Sequence, residues 1–87
     1  MKHKLCWHEN AWEDYLYWLE TDKKILHKIN ELIKATDREP FTGIGKPEPL
    51  QHALKGYWSR RITREHRLVY SIANNCLIII SCRFHYL

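Results

Sequence analysis

Three residues in the second half of the chain have side chains suited to acid–base chemistry on a phosphate. Glu48 lies between Pro47 and Pro49, whose rings fix φ on both sides and hold the carboxylate in a stiff segment. Arg67 alternates with Val69 and Ser71, out of phase with Leu68, Tyr70 and Ile72, as on one face of a strand. A guanidinium on a rigid strand suits a phosphate or a charged transition state. His85 continues the most apolar stretch of the chain through Cys82-Arg-Phe, which would anchor it despite its place near the end. A carboxylate, an arginine and a histidine suffice for RNA cleavage without a metal. A base removes the 2′-OH proton, the 2′-oxygen attacks phosphorus, and an acid protonates the departing 5′-oxygen while a cation steadies the phosphorane. Each residue also has an ordinary reading. Glu48 can be a loop acid offsetting Lys46, Arg67 a sheet-face partner of Glu65, and His85 a frayed terminal residue.

Other chemistries fit less well. Cys6, Cys76 and Cys82 are odd in number and form no C-x-x-C pair, so they read as reduced, buried small hydrophobes. The six histidines form no H-x-x-x-H pair, so neither a metal nor a cofactor is expected. Gly43-Ile-Gly45-Lys46-Pro47 lacks the spacing and the strand–helix context of a phosphate-binding loop.

At 87 residues the chain should form one domain, residues 1–87, with 45% hydrophobic residues and four Trp to fill its core. No apolar run approaches the ~20 residues that span a bilayer, and the start lacks a signal-peptide core. A cytoplasmic protein with no membrane contact is expected. The formal net charge is +4, unevenly spread. Residues 1–39 hold seven Lys/Arg and eight Asp/Glu, whereas residues 40–87 hold seven and two. That second half either attracts a polyanion such as RNA or presents a merely solvated strand face.

The elements that must position these residues read as β-α-α-β-β-β. Residues 4–8 fit a strand. Asn10 and Glu13 have the form of a capping box for a helix over 11–20, with Trp12, Tyr15, Leu16 and Leu19 as its apolar stripe. Asp22 looks like the cap of a second helix ending near Asp37, with Ile25, Ile29, Leu32 and Ile33 facing inward. Residues 41–50 read as loop, and Tyr57–Ile62, His66–Ile72 and Cys76–Phe84 as strands. The expected fold class is α+β: an antiparallel sheet with a helical hairpin on one face. If Asn74-Asn75 is a two-residue turn, a regular ladder would put His85 and Arg67 on opposite faces. A shared site therefore requires a bulge or odd-length loop near residues 73–76, or a departure from the ladder before His85.

Blocks along nearly the whole chain resemble the YoeB toxins of the RelE/ParE toxin–antitoxin superfamily. They include Trp12-Glu-Asp-Tyr-Leu-Tyr-Trp18, Gly45-Lys-Pro-Glu-Pro-Leu50, Trp58-Ser-Arg-Arg-Ile-Thr63, Glu65-His-Arg-Leu-Val-Tyr70 and Cys82-Arg-Phe-His-Tyr86. The resemblance implies a RelE-like fold and a ribosome-dependent mRNA endoribonuclease neutralised by a YefM-type antitoxin. It matches the general base to Glu48, the phosphate-stabilising arginine to Arg67 and the general acid to His85. It makes Tyr86, Arg61, Lys46 and Gln51 the substrate-contacting residues, with ribosome and mRNA as partners, and leaves a homodimer open. Relatives commonly carry lysine where Gln51 stands, and usually stop at the tyrosine, so Gln51 and Leu87 are departures. The alternatives are a ParE-like toxin acting on DNA gyrase, which lacks the nuclease residues, and a passive RNA- or ribosome-binding module using Arg60, Arg61 and Arg64.

Overall fold

The computed structural model describes residues 1–85. It runs β1 (Lys4–Trp7), α1 (Glu9–Thr21), α2 (Lys23–Arg38), β2 (Glu48–Pro49), β3 (Trp58–Arg61), β4 (Arg67–Ala73) and β5 (Cys76–Ser81), with a short 3-10 turn at His52–Leu54. The five strands form one sheet in the order β1-β5-β4-β3-β2. β1 pairs parallel to β5, while the other three pairings are antiparallel, so the sheet is mixed rather than purely antiparallel. The local β signals of residues 4–8 carry no information on the direction of a partner some 70 residues away.

The two helices cover one face. Asp22 caps α2 as its sequence suggests, with Oδ1 accepting from the Lys24 and Ile25 amides. Ile29, Leu32 and Ile33 then meet Leu68, Tyr70, Leu77 and Ile79 of the sheet in a single core. Truncating Ile29 or Leu32, both fully buried, would cost about 2–5 kcal/mol. α1 differs from expectation at both levels. Its cap is His8 without a side-chain bond, and Asn10 lies inside the helix with Nδ2 donating to the Ile80 carbonyl. Its buried residues are Ala11 and Trp18, whereas Trp12 and Leu19 are largely exposed. The helix is rotated because its inner side must meet the end of β5. Trp18 Nε1 donates to the Cys82 carbonyl at 2.8 Å, and Asp14 accepts from the Cys82 amide at 3.0 Å. Of the cysteines, only Cys82 is buried, while Cys6 and Cys76 are half-buried and all three are free.

The chain start is tied to the end of α2 through Asp37. Its carboxylate accepts from the Lys2 and His3 amides, each at 2.8 Å, and meets His3 Nδ1 at 2.9 Å. Desolvation opposes the charge, but these bonds together outweigh it and hold the pKa at about 2, against 3.8 ordinarily. The unfolded chain therefore binds the proton first. The stability this carboxylate contributes is complete above pH 3.8 and is lost as pH falls towards 2. Urea unfolding from pH 5 to 2 should show a shallower loss for Asp37→Asn than for the parent. Equal slopes would mean that Asp37 is not the carboxylate responsible.

Candidate active site

Glu48 reaches its place through a short edge strand where sequence reading gave only loop. Pro47 and Pro49 hold the backbone extended, and Glu48 pairs with Ser59 and Pro49 with Trp58. Proline cannot donate to a ladder, which suits β2 to the sheet edge it occupies. The preceding loop is organised from beneath by Arg60, which is fully buried. Arg60 Nη2 donates to the Glu39 and Thr42 carbonyls at 2.6 and 2.9 Å, Nη1 to the Ile44 carbonyl at 2.8 Å, and Nε to the Tyr70 hydroxyl at 3.4 Å. The same hydroxyl donates onward to the Pro40 carbonyl. Arg60 is thus withdrawn from any nucleic acid, contrary to its reading as a surface cation. Gly45 completes the loop at φ +83, accepting from the Arg61 amide at 2.6 Å. A Cβ there would come within 2.8 Å of Leu32 Cδ2, so no larger residue fits without a shift.

Arg67 and His85 are brought together at the other end of β4. Asn74 and Asn75, both at positive φ, make the two-residue turn, and Ala73 faces Cys76. The ladder then slips between Val69 and Tyr70. Tyr70 pairs with Ile79 but Val69 pairs with Ser81, so Ile80 is the extra residue. The irregularity sits mid-strand rather than near residues 73–76. β5 ends at Ser81, and the following segment turns at Phe84, where φ is +61. The Phe84 carbonyl accepts from the Arg67 amide at 3.1 Å. The predicted departure before His85 therefore occurs.

Arg67 is buried, not exposed in a groove as its assignment to a phosphate contact suggested. Its Nη1 donates to the carbonyls of Thr63, Arg64 and His66 at 2.8–3.1 Å, clamping the turn between β3 and β4. No Arg67–Glu65 ion pair occurs among the described residues. His85 is exposed, and its Nε2 lies 3.4 Å from the same Arg64 carbonyl. Arg67 and His85 thus converge on one oxygen. Glu48 is exposed two strands away. Cross-strand partners share a face, so the pairings Glu48–Ser59–Val69 and Arg61–Arg67 put Glu48, Arg61 and Arg67 on the face away from the helices. At about 4.8 Å per strand, the Glu48 Cα stands roughly 10 Å from β4, which spans a nucleotide's ribose and phosphate. A cleft of about 500 Å³ opens beside Glu48, lined by residues 48–54. Lys46, Gln51 and Arg61 are exposed around this edge, whereas Tyr86 lies outside the described residues.

Residues 7–86 match the sequence model of a YoeB-like toxin of bacterial type II toxin–antitoxin systems. The chain belongs to this family. Toxin YoeB of Escherichia coli strain K12 is 65% identical over 83 residues, covering 95% of this chain and 99% of that one. Toxin YoeB of Synechocystis is 63% identical over the same length, covering 95% and 96%. Among solved structures, a YoeB/ParE toxin from Agrobacterium tumefaciens is 52% identical with a TM-score of 0.91, covering 95% of this chain and 99% of that one. The YoeB dimer from Staphylococcus aureus is 48% identical with a TM-score of 0.92, covering 99% and 100%. The α+β architecture is therefore that of YoeB structures.

Sequence reasoning missed what two residues do around this candidate site. Arg60 resembled any other cation beside Arg61, though its place in phase with Trp58 on β3 put it on the helix side. His66 was passed over because nothing in E-H-R marks a histidine with a partner 18 residues away. Its Nδ1 accepts from the Phe84 amide at 2.7 Å. Burial, with Arg83, His85 and Arg67 nearby, lowers its pKa below 6.5 despite the opposing charge of Glu65. Burial also raises the pKa of Asp14 on α1, against the Cys82 amide, the Arg83 guanidinium and, when protonated, His66.

Proposed function

We propose that this toxin is a ribosome-dependent mRNA endoribonuclease that works by acid–base chemistry without a metal, in the cytoplasm. Glu48 takes the 2′-OH proton, and the freed 2′-oxygen attacks the adjacent phosphorus. Arg67 stabilises the charge on the phosphorane, and His85 protonates the 5′-oxygen as the P–O bond breaks. The products are a 2′,3′-cyclic phosphate and a 5′-hydroxyl end. The observation that carries this reading is the convergence of Arg67 Nη1 and His85 Nε2 on the Arg64 carbonyl, on the sheet face that Glu48 shares. The side-chain hydrogen bonds of Arg67 among the described residues leave from Nη1, so Nε and Nη2 remain to meet a phosphate while the turn holds the guanidinium still. Lys46, Arg61, Gln51 and Tyr86 supply the substrate contacts.

The partner is a YefM-type antitoxin with an acidic segment that folds on binding, matched to the basic residues 40–87. In Staphylococcus aureus a YoeB of the same fold forms a heterotetrameric complex with YefM, and another structure holds a YoeB dimer. The same two assemblies are proposed here.

Primer extension on an mRNA in a purified translation system, with and without ribosomes, tests the activity. Cuts within ribosome-bound message, ending in a cyclic phosphate, are expected. Their absence would overturn the reading. Chelation that spares the ribosomes should leave the rate unchanged, and a strong reversible loss would end the metal-free mechanism.

A further inference from the structure

The segment that carries His85 leaves the sheet at Ser81, so something other than the ladder must hold it. Two hydrogen bonds fix Phe84, the residue before His85. Its carbonyl accepts from the Arg67 amide at 3.1 Å, and its amide donates to His66 Nδ1 at 2.7 Å. Phe84 itself is at φ +61, a conformation that a side-chain-bearing residue keeps only when its surroundings impose it. The imidazole is fixed in turn. The Trp18 ring meets it edge-on at 4.8 Å, the Phe84 ring at 5.6 Å, and its own amide donates to Thr63 Oγ1 at 3.2 Å. The geometry points to His66 as a positioning residue, whose unprotonated Nδ1 holds the Phe84 amide and so aims His85 at the Arg67 end of the site.

An acceptor at Nδ1 requires the neutral ring with its proton on Nε2. The surroundings favour that form. Burial, the Arg83 and Arg67 guanidinium groups and the nearby His85 press against a charge on His66, which Glu65 supports. Asp14 faces it from α1 and, when ionised, supports that charge too, although burial raises the pKa of this carboxyl. A proton on Nδ1 would set one donor against another and release the Phe84 amide. His66 touches no substrate in this arrangement and acts only through the tail. The inference rests on the nuclease reading for its catalytic consequence, but not for the anchoring itself.

Two polar replacements separate the acceptor from mere packing. His66→Asn puts Oδ1 where Nδ1 stands, whereas His66→Gln puts its amide at the Nε2 position. Single-turnover cleavage of ribosome-bound mRNA should stay within about threefold of the parent for His66→Asn. His66→Gln should fall on the order of 10–100-fold in rate with little change in KM. In NMR of the whole chain, the Phe84 amide should shift in step with His66 protonation, below pH 6.5, and this step should vanish in His66→Asn. Equal rates for both variants, or an equal loss in both, would overturn the acceptor role. So would a Phe84 amide indifferent to His66 protonation. A parent chain that cleaves nothing refutes the nuclease reading instead, and the Phe84 amide then still decides whether His66 anchors the tail.

Discussion

Glu48→Ala and His85→Ala are each expected to slow mRNA cleavage by about 10²–10⁴-fold, the usual cost of losing a general base or acid. Their folding should be nearly unchanged. Glu48 is exposed on an edge strand, and its pairing with Ser59 runs through the backbone, so truncation leaves that pairing in place. His85 is likewise exposed, and its long contact to the Arg64 carbonyl adds little to stability. Arg67→Ala belongs to a different class. It takes the guanidinium donor from the Thr63 and Arg64 carbonyls, while the His66 carbonyl keeps the Ile62 and Thr63 amides, and it loosens the turn that leads into β4. Its lost activity therefore counts as chemistry only beside an unfolding curve. Arg67→Lys, which keeps the charge but not the fork, should recover part of the fold and little of the rate. If both Glu48→Ala and His85→Ala cut ribosome-bound mRNA at the parental rate, the assignment of base and acid is wrong.

The parts of the fold that sequence reading reached are those set by neighbouring residues. Asp22 sits at the break between two apolar stripes and caps α2, and Asn74-Asn75 adopts the positive φ values that a two-residue turn demands. The alternation around Arg67 set Leu68 and Tyr70 on the opposite face of the strand, and that face is the core. What stayed hidden depends on partners remote in sequence. The direction of β1 is decided by β5, the rotation of α1 by the Cys82 backbone, and the two-residue strand β2 by its pairing to β3. A capping box at Asn10 was a sound local signal, overridden when the helix began earlier and Asn10 turned to the Ile80 carbonyl.

Of the candidate site, the need for a broken register between Arg67 and His85 was legible in sequence, but its burial was not. Sequence gives every arginine the same charge, and a cation in a basic half reads as surface. Arg67 and Arg60 are both buried because backbone carbonyls, not carboxylates, take their protons. Carbonyl acceptors leave no complementary residue type in the sequence, so no charge pattern could announce them. The bulge at Ile80 is similar. An irregularity was expected near residues 73–76 or a departure from the ladder before His85, and no glycine or turn residue marks the place that the bulge takes.

Arg60→Met should be the most destabilising single change outside the hydrophobic core. The substitution keeps much of the aliphatic volume but removes four hydrogen bonds at once and strands the Glu39, Thr42 and Ile44 carbonyls beneath the loop. The bonds to these carbonyls are part-buried, and stranding three such groups at about 1–3 kcal/mol each costs about 3–5 kcal/mol in all. Against a total stability of roughly 5–15 kcal/mol, that lowers Tm by on the order of 15 °C in a domain of this size. Arg60→Lys should fall between the two, since one ammonium cannot reach acceptors spread over residues 39–44 as the planar fork does. The consequence extends to the site because the same loop delivers Glu48. Gly45 packs against Leu32 and accepts from the Arg61 amide, so a loop freed from Arg60 would carry Glu48 off its register with Ser59. Cleavage by any folded Arg60→Met should then fall together with the protection of the Arg61 amide in hydrogen exchange. A variant that melts with the parent would show that the carbonyls find water instead, and that Arg60 is dispensable to the loop.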